Sequence, residues 1–390
     1  MSDILFMKHA LDLAARPGAS PSPNPRVGAV VVRDGVILGE GFHTGPGTPH
    51  AEEAALRSAG PSARGAVLYC NLEPCSFTGN GKRRPPCAPL IIRSGIRRVV
   101  ISQLDPNPKV YGGGKKMLEE AGVEVRTGLD VDVAVVLNAG FNTFMTLGRP
   151  YVHIKCAQSL DGRIAAADGS SRWITGADAR DHVHRERGLH DAVAVGIETV
   201  LRDDPSLTVR RGPPRRPAAV VLDSRARLSA DSRLVRDRPH ETFVVAGPYA
   251  PSERTEPLER LGVRVLRARG CEQGIDLGSA LELLAREGIL SLYVEGGSRV
   301  ISSFLRAGLY DRITSYIAPL LIGGRHIGLD PPPAAAIDSA VRLERVHCEA
   351  IGVQAVLSGY RPGWWERILY AVDPRERSVP KEAADVYGTR

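Results

Sequence analysis

Apolar residues Ile4, Met7, Leu11 and Ala14 recur at the spacing of one helical face, so residues 3–15 are predicted to form an opening helix. Pro17 and the Ser22-Pro23-Asn24-Pro25 run stop it, and Pro23-Asn24-Pro25 makes a rigid turn from which Asn24 can point an amide into a pocket. Val27–Val32 reads as a strand, and Asp34-Gly35 turns it into a hairpin with Val36–Gly41. The loop 43–49 delivers the chain to a helix over 50–59, and Ala66–Asn71 is a buried strand. Cys87 opens the next helix, Arg98–Gln103 is a strand, and Asp105-Pro106-Asn107-Pro108 is a second rigid turn. A helix over 114–121 and a strand over 123–125 complete an alternation typical of a helix-covered sheet.

An apolar, helical stretch over 132–146 runs to Gly148-Arg149-Pro150, where the pattern places a domain boundary. A second α/β pattern follows: strand 151–157, helix 177–188, then strands at 192–196, 218–223, 242–246, 263–266, 291–295, 311–318 and 352–359. The expected organisation is one domain over 1–148, a second over 149–360, and an extension outside the core over 361–390 whose last fifteen or so residues are disordered.

Length agrees with this division, since 390 residues exceed one ordinary core. The stretch from Met1 to Arg16 carries acids early, unlike a secretory signal, and the chain contains no long apolar run, so the expectation is a cytoplasmic protein without a membrane. Six cysteines in a chain of this size do not form a disulfide framework. A net charge of +7 fits either a nucleic-acid binder or pockets for phosphorylated small molecules. Arg210-Arg211 and Arg215-Arg216 flank a Gly-Pro-Pro loop with no aromatic residue interleaved, which disfavours nucleic acid.

The chemistry concentrates in His50-Ala51-Glu52, Glu73-Pro74-Cys75 and Cys87. Each piece alone is weak, because His-x-Glu commonly starts a helix and a buried Cys commonly packs. Jointly, one imidazole and two thiolates are the ligand set of a catalytic zinc whose fourth position stays open for water. Glu52, not itself a ligand, is left free to move protons, and the arrangement is that of zinc-dependent amine deaminases. A closed structural site would require a fourth ligand, for which His43 is the nearby candidate.

Eleven residues separate Cys75 from Cys87, where nucleoside deaminases have about two. Asn24-Pro25-Arg26-Val27-Gly28, His50-Ala51-Glu52, Glu73-Pro74-Cys75-Ser76, Pro85-Pro86-Cys87 and Asp105-Pro106-Asn107-Pro108 resemble the bifunctional riboflavin-biosynthesis proteins, which join a pyrimidine deaminase to a reductase. In that family the loop between the cysteines is a few residues shorter, and a histidine commonly stands where Phe77 does here. The resemblance implies a cytidine-deaminase-like three-layer domain that replaces the C2 amine of a phosphoribosylamino-diaminopyrimidinone with oxygen. It further implies His50, Cys75 and Cys87 as zinc ligands, Glu52 as the proton carrier and Asn24 on the pyrimidine edge, with Lys82, Arg83 or Arg84 clamping the phosphate.

Read from residues alone, the second half offers the Glu295-Gly296-Gly297-Ser298 turn as a phosphate site or as a structural turn, and it lacks the G-x-G-x-x-G fingerprint. Its Ala157–Gly162, Trp173-Ile174-Thr175, Thr199–Arg210, Leu222-Asp223-Ser224 and Val294–Gly297 segments resemble the reductase half of the same family. That half is dihydrofolate-reductase-like and uses NADPH. Carried over by position, Ala157, Trp173, Thr199, Asp203, Ser224 and Gly297 onward would bind NADPH, and Ser171, Arg187, Leu207, Arg210 and Glu295 the ribosyl phosphate substrate. Plain packing is the competing reading for Trp173, Leu207 and Thr199. The implied step reduces the open-chain ribosyl group to ribityl, with Lys155 and Asp203 as candidate acids. The family assembles as dimers or tetramers, so a homo-oligomer is expected. Competing readings are the same two chemistries on a related pyrimidine or pteridine, one inactive domain, or a basic protein that holds single-stranded nucleic acid.

Overall fold

The computed structural model of the chain describes residues 2–77, 84–210, 216–272 and 274–376. The chain divides into two compact units, Met1–Leu147 with Glu366–Arg390, and Gly148–Trp365. The first unit runs α1 (Asp3–Ala15), β1 (Gly28–Arg33), β2 (Val36–Phe42), α2 (Ala51–Ala59), β3 (Val67–Leu72), α3 (Cys87–Arg93), β4 (Arg98–Gln103), α4 (Gly113–Glu120), β5 (Glu124–Thr127), α5 (Val131–Leu137) and α6 (Ala139–Leu147). Its sheet has the order β2-β1-β3-β4-β5, with β1 antiparallel to both neighbours and β3, β4 and β5 parallel.

Side-chain alternation along the strands builds three layers. Ala29, Val31, Leu68, Cys70, Val99 and Ile101 face Ala51, Ala55 and Leu56 of α2, Ala88 and Ile91 of α3 and Leu118 of α4. Val30, Val32, Tyr69 and Val100 face Phe6, Met7, Ala10 and Leu13 of α1 and Ala134 of α5. Helix α2 lies directly on glycines of β2. A Cβ on Gly39 would stand 2.4 Å from the Ala55 carbonyl oxygen, and one on Gly41 2.7 Å from that of Ala51.

The second unit runs β6 (Tyr151–Ser159), α7 (Ala177–Arg187), β7 (Ala192–Gly196), α8 (Ile197–Asp203), β8 (Ala218–Leu222), α9 (Arg233–Asp237), β9 (Thr242–Ala246), α10 (Ser252–Arg260), β10 (Arg264–Arg267), the short pair β11 (Gly270–Cys271) and β12 (Gly274–Ile275), α11 (Leu277–Arg286), β13 (Ser291–Gly296), α12 (Ser298–Ala307), β14 (Arg312–Ala318), β15 (Glu344–Ile351) and β16 (Gln354–Tyr360). Its nine-stranded sheet has the order β10-β9-β8-β7-β13-β6-β14-β16-β15. The strands from β10 to β14 are parallel, and β16 and β15 close one edge antiparallel. Central strands such as β7 (Ala-Val-Ala-Val-Gly) are buried on both faces, which accounts for their unbroken apolar runs.

Several expectations need correction. The stretch 132–146 is two helices broken at Asn138, and residues 197–203 form the helix α8 where the sequence reading had no element. Strand β15 was not expected, because its interior residues are exposed and carry no apolar alternation. The extension over 361–390 does not lie outside the core along its first part. A helix α13 (Trp364–Val372) buries Trp364, Trp365, Ile368 and Val372, and the Leu104 N–H donates to the Val372 carbonyl at 2.8 Å. The amphipathic stretch is too short, and too close to the polar tail, to stand apart from it in sequence. The disorder expected for the last residues falls on 377–390, outside the described residues.

Candidate functional site

His50, Cys75 and Cys87 come from three places in the first unit and meet over one end of its sheet. His50 is the N-cap of α2, Cys75 follows the carboxyl end of β3, and Cys87 is the first residue of α3. The His50 Nδ1 lies 3.2 Å from the Cys87 Sγ and 3.6 Å from the Cys75 Sγ. A tetrahedral zinc bonded at about 2.0–2.1 Å to nitrogen and about 2.3 Å to sulfur separates its ligands by roughly 3.5 Å, so the spacing fits. The donor chemistry fits as well. The Cys87 N–H donates to the Cys75 Sγ at 3.4 Å, and the helix ends favour negative charge on the sulfurs. Without a cation, its hydrogen bond with Cys75 and burial hold the Cys87 thiol well above its usual range, and a divalent ion is what lets both sulfurs ionise.

Glu52 is buried in the first turn of α2, and burial followed by the Cys75 charge pushes its carboxyl up to about 7. His43 is not a fourth ligand. Its Nδ1 bonds the Pro49 carbonyl at 3.1 Å, leaving Nε2 to accept from the Asn24 Nδ2 at 3.0 Å. Asn24, expected on the substrate's edge, is therefore held beside the histidine whose ring packs edge-on to His50 at 5.6 Å. Arg84 is paired to Glu53 in the first turn of α2, while Lys82 and Arg83 lie outside the described residues.

Three residues to which the motifs assign no role, Glu73 among them, support this centre. Buried Glu73 accepts N–H groups of Asp105 (3.2 Å), Gly112 (3.0 Å) and Lys115 (3.0 Å), tying the 105–115 segment beneath Cys75. Asn71 accepts from the Gly28 N–H at 2.9 Å and donates to the Arg26 carbonyl at 3.0 Å. Asn138 accepts from the Arg26 N–H at 2.8 Å, and together they clamp the turn that carries Asn24. A buried acid next to Pro-Cys was the one visible signal, since it must find donors.

In the second unit the expected residues gather at the carboxyl ends of adjacent parallel strands, where open α/β sheets bind ligands. Gly297 follows β13, Thr199 lies in α8 just after β7, and Ser224 follows β8. A Cβ on Gly297 would stand 3.5 Å from the Thr199 Oγ1, and Ala157 lies toward the same end of β6. Arg187 grips Glu295 through Nε and Nη2, the latter to Oε2 at 2.7 Å, and the Arg187 Nη1 donates to the Thr208 carbonyl at 3.1 Å. Lys155 is half-buried, and desolvation lowers its pKa against the opposing pull of Glu295. The Arg210 N–H donates to the His184 Nδ1 at 3.5 Å, a bond requiring neutral His184, whose pKa is held at about 4 by burial and then by Arg187 and Arg210.

Trp173 is not packing: it is 66% exposed, with the Arg180 guanidinium 4.4 Å from its ring centroid. Leu207 is packing, buried among Val195, Val200 and Val221 with its backbone at φ +50°, so only its main chain is available to a ligand. Asp203 lies 3.6 Å from Arg172, and Ser171 is exposed in the same loop.

Comparison with known proteins agrees with both halves. Residues 1–103 match the family model of the cytidine and deoxycytidylate deaminase zinc-binding region, and residues 150–357 match that of the RibD C-terminal domain. The chain is similar to the riboflavin biosynthesis protein RibD of Aquifex aeolicus, 40% identical with 90% of this chain and 96% of that protein covered. The chain belongs to the RibD family. The RibD of Escherichia coli is 41% identical, with 84% of this chain and 91% of that protein covered. Among solved structures, Acinetobacter baumannii RibD superposes with a TM-score of 0.82 at 37% identity, covering 92% of this chain and 98% of the other. The Thermotoga maritima deaminase/reductase follows at 0.81 and 35%, with the same coverage of 92% and 98%. As in the RibD family, this chain joins a zinc-binding deaminase domain to a reductase domain of riboflavin biosynthesis, and the expected fold class holds. Among the described residues, no helix is long and apolar enough to cross a membrane.

Proposed function

We propose that the chain hydrolytically deaminates 2,5-diamino-6-(5-phosphoribosylamino)pyrimidin-4-one and then reduces the ribosyl group of the product to ribityl with NADPH. The observation that carries the first step is the His50, Cys75 and Cys87 cluster beside buried Glu52. Zinc held by the three ligands supplies an activated water at neutral pH. Asn24, fixed by His43, orients the pyrimidine edge. Glu52 accepts one proton of the attacking water and returns it to the ring nitrogen, then takes the remaining hydroxyl proton and delivers it to the amine, which departs as ammonia as the carbonyl forms.

For the second step NADPH supplies the hydride, and Gly297, Thr199 and Ser224 at adjacent strand ends support a binding role for the crevice. Arg187 and Arg210 suit the substrate's phosphate by guanidinium geometry. Lys155, half-buried near Glu295, and Asp203, near Arg172, are the candidate proton donors. A coupled assay tests the reading: protein is given zinc, the diaminopyrimidinone phosphate and NADPH, and both ammonia and NADPH are followed. The reading expects ammonia release first and NADPH oxidation dependent on it. Ammonia without NADPH oxidation would remove the second step, and neither would remove both.

A further inference from the structure

The turn that carries Leu207 is held by a buried charge that neither reaction uses. Arg238, at the end of α9, is buried, and its guanidinium bonds main-chain carbonyls. Its Nη1 donates to the Ser206 carbonyl at 3.3 Å, and its Nη2 donates to the Pro217 carbonyl just before β8. One carboxylate accompanies it, the partly exposed Glu241, whose Oε2 lies 3.2 Å from Nη2. Taking a guanidinium out of water is costly, and an apolar side chain of similar volume would fill the space without that cost. What the guanidinium alone offers is a planar fork that bonds two carbonyls far apart in the chain.

The Ser206 contact fixes a peptide plane. In a trans peptide the carbonyl and the N–H of the next residue point in opposite directions, so Leu207 turns its N–H away from Arg238. That N–H has no acceptor among the described residues, which leaves a donor open to a ligand. The carbonyl of the next residue, Thr208, is held by Arg187, so this main chain lies beside the Arg187–Glu295 pair. Leu207 sits at φ +50°, a region that L side chains seldom occupy and that surrounding contacts must enforce. Releasing the Ser206 carbonyl lets the peptide flip, which returns Leu207 to negative φ and reverses its N–H.

We propose that Arg238 is a positioning residue of the reduction: by holding the Ser206 carbonyl it presents the Leu207 N–H to the phosphate of the ribosyl substrate, and so sets that substrate's affinity. The assignment rests on the reading of this crevice as the ribosyl phosphate site.

The test is steady-state reduction of the deaminated ribosyl phosphate by the zinc-loaded full chain, comparing wild type, Arg238→Met and Glu241→Gln. Arg238→Met is expected to raise KM for that substrate roughly 5- to 50-fold, with kcat and the KM for NADPH each within about threefold. The inhibition constant of ribose 5-phosphate, which carries only the phosphate-bearing part of the substrate, should rise by the same factor. Ammonia release by the first unit should stay within about twofold of wild type. Glu241→Gln removes the charge partner but leaves the Ser206 contact, and should keep the wild-type KM. If Arg238→Met does not accumulate as a folded chain, Arg238→Lys decides in its place, because one ammonium cannot reproduce the fork and KM should again rise. An unchanged KM in the variant that folds overturns the assignment. So does a matching loss of kcat and NADPH affinity, which would make Arg238 a support of the fold alone, or an equal rise of KM in Glu241→Gln. A wild type that oxidises no NADPH with the deaminated substrate overturns the reading of the crevice and the assignment with it.

Discussion

Glu52 and His50 are neighbours in sequence, but their roles separate cleanly, since the metal distances involve His50 and the sulfurs while Glu52 is buried beside them. Replacing Glu52 with Gln should lower ammonia release by roughly 10²- to 10⁴-fold with zinc content unchanged by elemental analysis. A parallel loss of zinc would instead make Glu52 a ligand. In the reductase unit, burial alone would raise the Glu295 carboxyl, but Arg187 and then Lys155 outweigh it and hold it below its ordinary value. A depressed carboxylate contributes stability that is present above its unfolded pKa, about 4.3, and lost as pH falls through the folded value. Glu295→Gln leaves the Arg187 charge buried and should cost about 3–5 kcal/mol at neutral pH, seen as a lower thermal midpoint. The gap to wild type should narrow as pH falls below about 4.3 and close only below the depressed folded-state value, where wild-type Glu295 is itself neutral; a gap constant with pH would show that the ion pair is not its source. The zinc ligands were legible in the sequence because their chemistry has few alternatives. Glu73, Asn71 and Asn138 were not, because their partners are backbone groups 32, 43 and 112 residues away.

Among the elements, α2 sets the zinc geometry, because it carries His50 and Glu52 and rests on Gly39 and Gly41 of β2. A Gly39→Val substitution must push the α2 backbone off the sheet, at about 1–3 kcal/mol or more. The expected result is a lower unfolding midpoint together with reduced zinc content, whereas Arg57→Ala, on the exposed face of the same helix, should leave both within error. Unchanged zinc content in Gly39→Val would mean that the site tolerates a displaced helix. Most elements were readable from apolar periodicity. No helix is assigned from sequence at α9, α10 or α11, but two other unassigned elements have a plain physical reason: α8 spans two turns with only Ile197 and Val200 buried, and β15 has an exposed interior, so neither shows a period to read.

For the whole molecule, the carboxyl-terminal helix is the sharpest test. A chain ending at Arg361 loses the buried side chains of Trp364, Trp365, Ile368 and Val372, each worth about 1.5–3 kcal/mol, and should unfold earlier and be cut faster by protease. An unchanged midpoint would restore α13 to the status of an appendage. The sequence by itself determined the zinc ligand set, the two α/β patterns and the family, because residue type, period and motif spacing are local properties. Tertiary structure alone decided that both ring nitrogens of His43 are already engaged, so that it is not a ligand, that Trp173 is exposed while Leu207 is core, and that α13 is packed. It alone brought Ser224, Thr199 and Gly297 to neighbouring strand ends. Strand order brings together residues far apart in the chain, and no local pattern encodes it.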